Sequence, residues 1–349
     1  MAEVLAAVPA RTAAAAGRTS GAFPTAGARR RYVLVIAVLT LLAAASLIGL
    51  LVHGNPVPFG TAGFWRIVQL RVTSVLVILV VAIAQATATV AFQTAANNRI
   101  VTPSIMGFES LYTAVQTTAV FVLGAAGVTA LQGVPQFALQ VVLMTGFAVA
   151  LYGWLLSGRH GSMHVMLLIG IVIGGGLGAV STFMQRLLTP SEFDVLAARL
   201  FGSVANADAS YLPLAIPLCL AASTLLFTRA RRLNVLALGP DAANALGVGH
   251  RREQLRVLLL VAVLMATSTA LVGPMTFLGF LVATLAYQWA DTHDHRLVLP
   301  VAVLTAVVVL GGAYFVLKHV FSAQGAVSII IELVGGSVFL LVLLRKGRL

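Results

Sequence analysis

The chain is poor in charge and in reactive side chains. Only 9% of its 349 residues are charged, and it holds one cysteine and two lysines, Lys318 and Lys346. A single cysteine, Cys219, excludes an internal disulfide and a metal–thiolate cluster. A phosphate-cradling P-loop needs Gly-x-x-x-x-Gly-Lys followed by Ser or Thr, and neither lysine has that setting. A serine nucleophile elbow and a His-Glu-x-x-His zinc motif are also missing. The expectation is a chain that is not itself an enzyme and binds no cofactor directly.

Apolar residues fill the space that charge leaves. They make up 60% of the chain, far from a soluble composition, so the chain reads as a polytopic membrane protein in contact with lipid. A net charge of +12 raises the question of nucleic acid. The basic residues are scattered between apolar runs, without a basic stripe or interleaved aromatics, so no nucleic-acid partner is expected.

Residues 1–31 are rich in Ala, Gly and Arg, carry Glu3 as their one acid and show no apolar period; they read as a disordered basic tail. Residues 32–349 form the transmembrane domain. Ten apolar runs fall at about 33–52, 72–95, 105–130, 136–156, 164–188, 211–228, 255–272, 275–290, 297–317 and 327–344. This predicts an all-α protein with about ten transmembrane helices. The runs on either side of Gly273-Pro274 are expected to form a tight hairpin, because together they are too long for one span. Within the loop 189–210, residues 193–200 predict a short helix at the membrane surface.

An even number of spans puts both termini on one side. That side collects 17 of the 22 basic residues, and 12 against 5 when the tail is left out. By the positive-inside rule the termini are expected to be cytoplasmic.

The insert at about 237–253 interrupts two spans and stands on the same side. Pro240 suits a first helical position, Asp241 the positive end of the helix dipole, and Gly247 a C-terminal cap. A helix of about seven residues rises only about 10 Å, too little for a hydrocarbon core of about 30 Å. It must lie at a surface.

Other residues carry weaker signals. Gly170, Gly174 and Gly178 recur every four residues, with Gly175 beside them, a pattern for close helix packing or for lining a path. Arg66, Arg71 and Lys318 fall on the outer side, where snorkelling or docking would use them. Glu109 and Glu332 lie near helix N-terminal ends and read as structural. His160 with His164, and Asp291, His293, Asp294 and His295, have spacings open to metal, but polar residues are expected where helices meet water, and no metal site is assigned.

Several spaced motifs resemble the permease subunits of iron-chelate and cobalamin ABC importers. They are Ala245-Leu246-Gly247-Val248 followed by Arg251-Arg252, then Gly273, Phe277-Leu278-Gly279, and Asp294-His295-Arg296-Leu297-Val298-Leu299-Pro300. Thr102 through Tyr112 is similar to the ferric-siderophore branch, in which two different permease chains pair. The resemblance runs from about residue 60 to the C-terminus. Ala283-Thr284 and Ser74 depart from the family pattern, which suits one half of an asymmetric pair.

The resemblance implies the type II importer fold, a second permease, two ATPase subunits that use the ATP, and an extracytoplasmic siderophore-binding protein. It makes the insert the coupling element: Ala242, Ala243, Leu246 and Gly247 would meet an ATPase groove, with Arg251 and Arg252 at its rim, and Asp241 and His250 would belong to the same coupling set. Gly170, Gly174, Gly175 and Gly178 would border the translocation path, and Arg66, Arg71 and Lys318 would meet the binding protein. Haem, cobalamin or free metal ions remain alternative cargoes. An ion-coupled secondary transporter is a further alternative, although no ionisable residue is clearly placed at mid-membrane.

Overall fold

The structure is a computed structural model that describes residues 22–23, 25–130, 133–157, 163–205, 207–322 and 325–346. In chain order the helices are α1 (Ala26–Val52), α2 (Ala62–Ala95), α3 (Phe108–Ala130), α4 (Val134–Ser157), α5 (Met163–Gln185), α6 (Pro190–Leu200), α7 (Leu212–Thr228), α8 (Ala230–Leu236), α9 (Pro240–Ala245), α10 (His250–Val272), α11 (Leu278–Ala290), α12 (His295–His319) and α13 (Val327–Lys346). Eight are long and apolar enough to cross a membrane; α11 and α13 are shorter apolar helices. These ten coincide with the ten expected runs.

Helix starts differ from expectation where polar residues interrupt an apolar run. The expected tail extends to residue 31, yet α1 already begins at Ala26, where Thr25 Oγ1 accepts from the Ala28 N–H at 3.2 Å. Residues 1–21 and 24 lie outside the described residues. Likewise α2 starts ten residues before the expected Val72, capped by Thr61, whose Oγ1 accepts from Phe64 N–H at 3.2 Å. Capping satisfies backbone donors that hydropathy does not sense.

The core is organised around α2, which is buried along most of its length and packs on α7, α10, α11 and α12. Its polar side chains find partners inside the bundle: Gln85 Nε2 donates to Ser268 Oγ at 3.1 Å, and Thr87 meets Ser223 at 3.3 Å. Without such pairs these groups would be costly in hydrocarbon.

At 13 residues, α11 rises only about 20 Å. It is one arm of the expected hairpin, and its corner with α10 is locked from outside. Gly273 has φ 85°, and a Cβ there would lie 3.2–3.3 Å from the Arg199 and Phe201 carbonyls. Ser203 N–H donates to Val272 O at 2.8 Å, and Ser328 N–H to Gly202 O at 3.1 Å.

The expected surface helix forms as α6 but does not lie loosely. Leu196 is fully buried with Val120 and Val128 of α3. Glu192 accepts from Thr189 N–H and Oγ1 at 2.9 and 2.8 Å, and these bonds hold its carboxyl below the usual range.

Tyr32 OH donates to Leu297 O, Gln254 Nε2 to Ala95 O, and Asn234 Nδ2 to Asp294. The start of α1, the end of α2, the insert and the start of α12 therefore share one face. Because α13 starts beside Gly202 on the opposite side, it ends on the insert face as well.

Candidate functional site

One carboxylate ties the start of α10 to the end of α7 and to α8. Glu253, in the first turn of α10, has a side chain only 3% exposed and accepts from Arg229 at 2.6 Å, Arg256 at 3.2 Å and Arg232 at 3.3 Å. Three cations around one buried acid fasten α8 to α10 at the base of the insert. This clamp was absent from the sequence reading; the signal was the lone acid among the basic residues that follow Asp241.

The insert helix α9 is built as its residues imply. Pro240 opens it after Gly239 at φ 92°, and Asp241 lies in the first turn. At its end Gly247 takes φ 77°, its N–H donates to Asn244 O at 3.0 Å, and Val248 N–H donates to Ala243 O at 2.9 Å. That pair of bonds is a Schellman closure. Asn244 Oδ1 then accepts from His250 N–H at 3.1 Å, so one side chain of α9 caps α10. The insert is a rigid platform.

Burial divides the expected coupling residues. Ala243 is fully buried against its own chain, so it anchors α9 and does not reach a partner, a correction to its expected place in a groove. Asp241, Leu246, Gly247, Arg251 and Arg252 are exposed; Ala242 and His250 are half-buried. Leu246 is 61% exposed, and so is Leu238, a residue missed in the sequence because it lies in the approach to Pro240. Both are large apolar side chains on the surface at the two ends of α9.

Beside the platform, His295 is buried between Thr94 Oγ1 at 2.6 Å and Asn234 Oδ1 at 2.6 Å, joining α2, α8 and α12. Asp294 is gripped by Arg296 through Nε at 3.0 Å and Nη2 at 2.6 Å, and these bonds pull its carboxyl down to about 2. Asn234 Nδ2 adds a bond at 3.0 Å. Among the described residues no group of three or more potential metal ligands occurs; His160 lies outside them.

The glycines of α5 fall on two faces. A Cβ on Gly170 would lie 3.2 Å from Met106 Cα, and one on Gly174 3.1 Å from Gly107 Cα, so these two allow α5 to cross the 3₁₀ turn Pro103–Met106 closely. They are packing positions, which corrects their expected place on a path. Gly175 and Gly178 face open space.

On the opposite face, Arg71 bends back onto the end of α1. Its guanidinium donates to the carbonyls of His53 at 2.7 Å, Gly54 at 3.0 Å, Leu51 at 3.2 Å and Leu50 at 3.4 Å. Arg71 is a helix cap, not the free docking cation expected of it. Arg66 is exposed beside the ring cluster of Phe59, Phe64 and Trp65, and Lys318 lies 6.0 Å from the Tyr314 ring. Glu109 accepts from Thr276 Oγ1 at 2.6 Å, tying α3 to the α10–α11 corner, while Glu332 is exposed.

Comparison with known proteins agrees with this architecture. The Petrobactin import system permease protein FatC of Bacillus anthracis is 48% identical over 332 residues, covering 95% of this chain and 94% of the relative. The Petrobactin import system permease protein YclO of Bacillus subtilis is 36% identical, covering 80% and 88%. A solved structure described as an inward-facing metal-chelate type ABC transporter superposes with a TM-score of 0.78 at 23% identity, covering 89% of this chain and 99% of that one. That likeness shows the fold, the type II importer permease fold. The FecCD transport family model matches residues 32–345, and the chain belongs to the FecCD transport family.

Proposed function

We propose that this chain is the membrane-spanning permease subunit of an ATP-driven importer that carries a ferric siderophore into the cell by alternating access. The observation that carries the reading is the platform around α9: a capped, clamped surface helix with Leu246 and Leu238 each 61% exposed. An apolar knob on a rigid base suits insertion into a groove of a partner. The chain has no P-loop, so that partner is a separate ATPase, present in two copies. The identity to two petrobactin permeases supports the cargo class.

In this reading the insert and both termini face the cytoplasm of a bacterial cell, as the basic residues argue. Closure of the ATPase pair pushes on α9; the Glu253 clamp passes that motion to α8 and α10 as a rigid body. A second, different permease chain packs against this one around a central path bordered by Gly175 and Gly178. An extracytoplasmic siderophore-binding protein delivers cargo to the face that carries Arg66 and Lys318.

Uptake of an iron-loaded chelator in cells carrying this chain tests the reading. Transport should stop when the partner ATPase is inactivated and persist when the ion gradient is collapsed with ATP maintained. The reverse pattern would identify a secondary transporter.

A further inference from the structure

At its start α1 carries three arginines in a row, and they are not held alike. Arg31 reaches Asp291 in the α11–α12 loop at 3.7 Å. Arg29 and Arg30 are exposed, and among the described residues neither side chain has an ion-pair or hydrogen-bond partner. No acid occurs in α1, and Asp294 at the start of α12 is gripped by Arg296. Among the described residues, then, two guanidinium charges stand unneutralised on the insert face. We infer that they hold the phosphate of an anionic phospholipid whose acyl chain lies along α1.

The side chains beyond them supply the rest of the fit. In a helix, residues four apart form ridges, with a groove between neighbouring rows. Arg29, Val33 and Ala37 stand in one row, and Arg30, Leu34 and Val38 in the next, so each row begins with a cation and continues apolar. All six are exposed and line one groove. This face is left free because α1 packs on α12 and α2 through its other side, where Leu39, Ala43 and Leu50 are buried. Ala37 has the shortest side chain of the set and leaves a notch between Val33 and Leu41. From Arg30 to Leu41 the helix rises about 16 Å, which matches one leaflet of a hydrocarbon core of about 30 Å.

Apolar length alone would accept any lipid, and the arginines select by charge. A guanidinium pairs with phosphate oxygens through parallel N–H bonds, and basic residues at the edge of a span draw anionic lipids. A zwitterionic headgroup brings its own cation to the same place, so phosphatidylcholine gains little. Free inorganic phosphate shares the anion but has no chain to lay in the groove. Occupancy would also steady the insert face, because Tyr32 OH donates to Leu297 O and Arg31 ties α1 to Asp291. The binding itself does not depend on the transport role proposed above.

Native mass spectrometry of the full chain in detergent, with phosphatidylglycerol, phosphatidylcholine or inorganic phosphate added at equal concentration, reads the bound fraction directly. Phosphatidylglycerol should bind at least about tenfold more tightly than phosphatidylcholine, at about fivefold per basic residue. Arg29→Gln combined with Arg30→Gln should bring phosphatidylglycerol down to the phosphatidylcholine level. Ala37→Phe keeps every charge and fills the notch, so it should weaken phosphatidylglycerol severalfold; should the arginine pair prove necessary for insertion, this variant still decides. Arg66→Gln, on the opposite face, should change nothing. Equal binding of the two lipids by the wild type, a preference that survives loss of both arginines, phosphatidylglycerol binding untouched by Ala37→Phe, or displacement of the lipid by inorganic phosphate would each overturn the proposal.

Discussion

Arg229 and Glu253 meet at 2.6 Å, joining the end of α7 to the first turn of α10 across the root of the insert. The chain leaves the membrane at one and re-enters at the other, so this single contact closes the loop that carries α9. Arg232 and Arg256 complete the clamp.

Glu253→Gln removes the charge but keeps the shape. Three arginines then share an amide; because each is at least a quarter exposed and water takes up part of their charge, the loss is about 1–2 kcal/mol. The purified chain should unfold several degrees earlier in a thermal melt, with uptake reduced as the insert loosens. An unchanged melting temperature would show that solvent already screens the cluster.

Leu246→Asp acts on the surface alone. Because the side chain is 61% exposed, stability should change by less than about 0.5 kcal/mol. Co-purification of the ATPase and chelate uptake should each fall at least about tenfold, since hot-spot anchors carry about 2 kcal/mol or more. Leu238→Asp should repeat the effect more weakly. Normal uptake by both variants would remove the insert from the contact.

Gly174 and Gly175 separate packing from path. Gly174→Leu meets the Gly107 backbone and should destabilise by about 1–3 kcal/mol, read as lower yield and earlier melting. Gly175→Leu meets nothing within its own chain, so the melt should be unchanged while uptake falls. Unchanged uptake in a well-assembled complex would argue that Gly175 faces lipid.

Arg71 and Arg66 should part in the same manner. Arg71→Gln strips the cap from α1 and should cost about 2–3 kcal/mol in thermal stability. Arg66→Glu should leave stability alone and raise the binding-protein concentration needed for half-maximal uptake severalfold. A stability loss in Arg66→Glu with normal docking would reverse the assignment.

Acid should weaken the insert face through Asp294. Its hydrogen bonds from Arg296 hold the folded pKa near 2, below the unfolded value of about 3.9. The stabilisation is therefore complete above about pH 4 and disappears as pH falls toward 2. Melting temperature against pH should drop across that window, and less steeply in Asp294→Asn, with the difference between the two curves as the readout.

Much of the fold was legible because membrane spans are written in long apolar runs, and all ten runs became helices. Their starts were less so. Arg66 and Arg71 looked like the end of a loop, yet Thr61 caps a helix ahead of them and Arg71 folds onto the carbonyls of α1. The insert was readable from Pro240, Asp241 and Gly247 because caps are local. Which face of α9 points outward was not, since it depends on what α10 and α8 place beneath Ala243.

The sequence by itself determined the class of molecule, the number of spans and the insert, because composition and local helix signals act over a few residues. Tertiary structure alone decided that Glu253 gathers three arginines, that Gly170 and Gly174 pack while Gly175 and Gly178 stay open, and that the Arg99 guanidinium lies over the Tyr287 ring. Those facts come from residues far apart in the chain brought within a few ångströms, and no periodicity along the chain records such meetings.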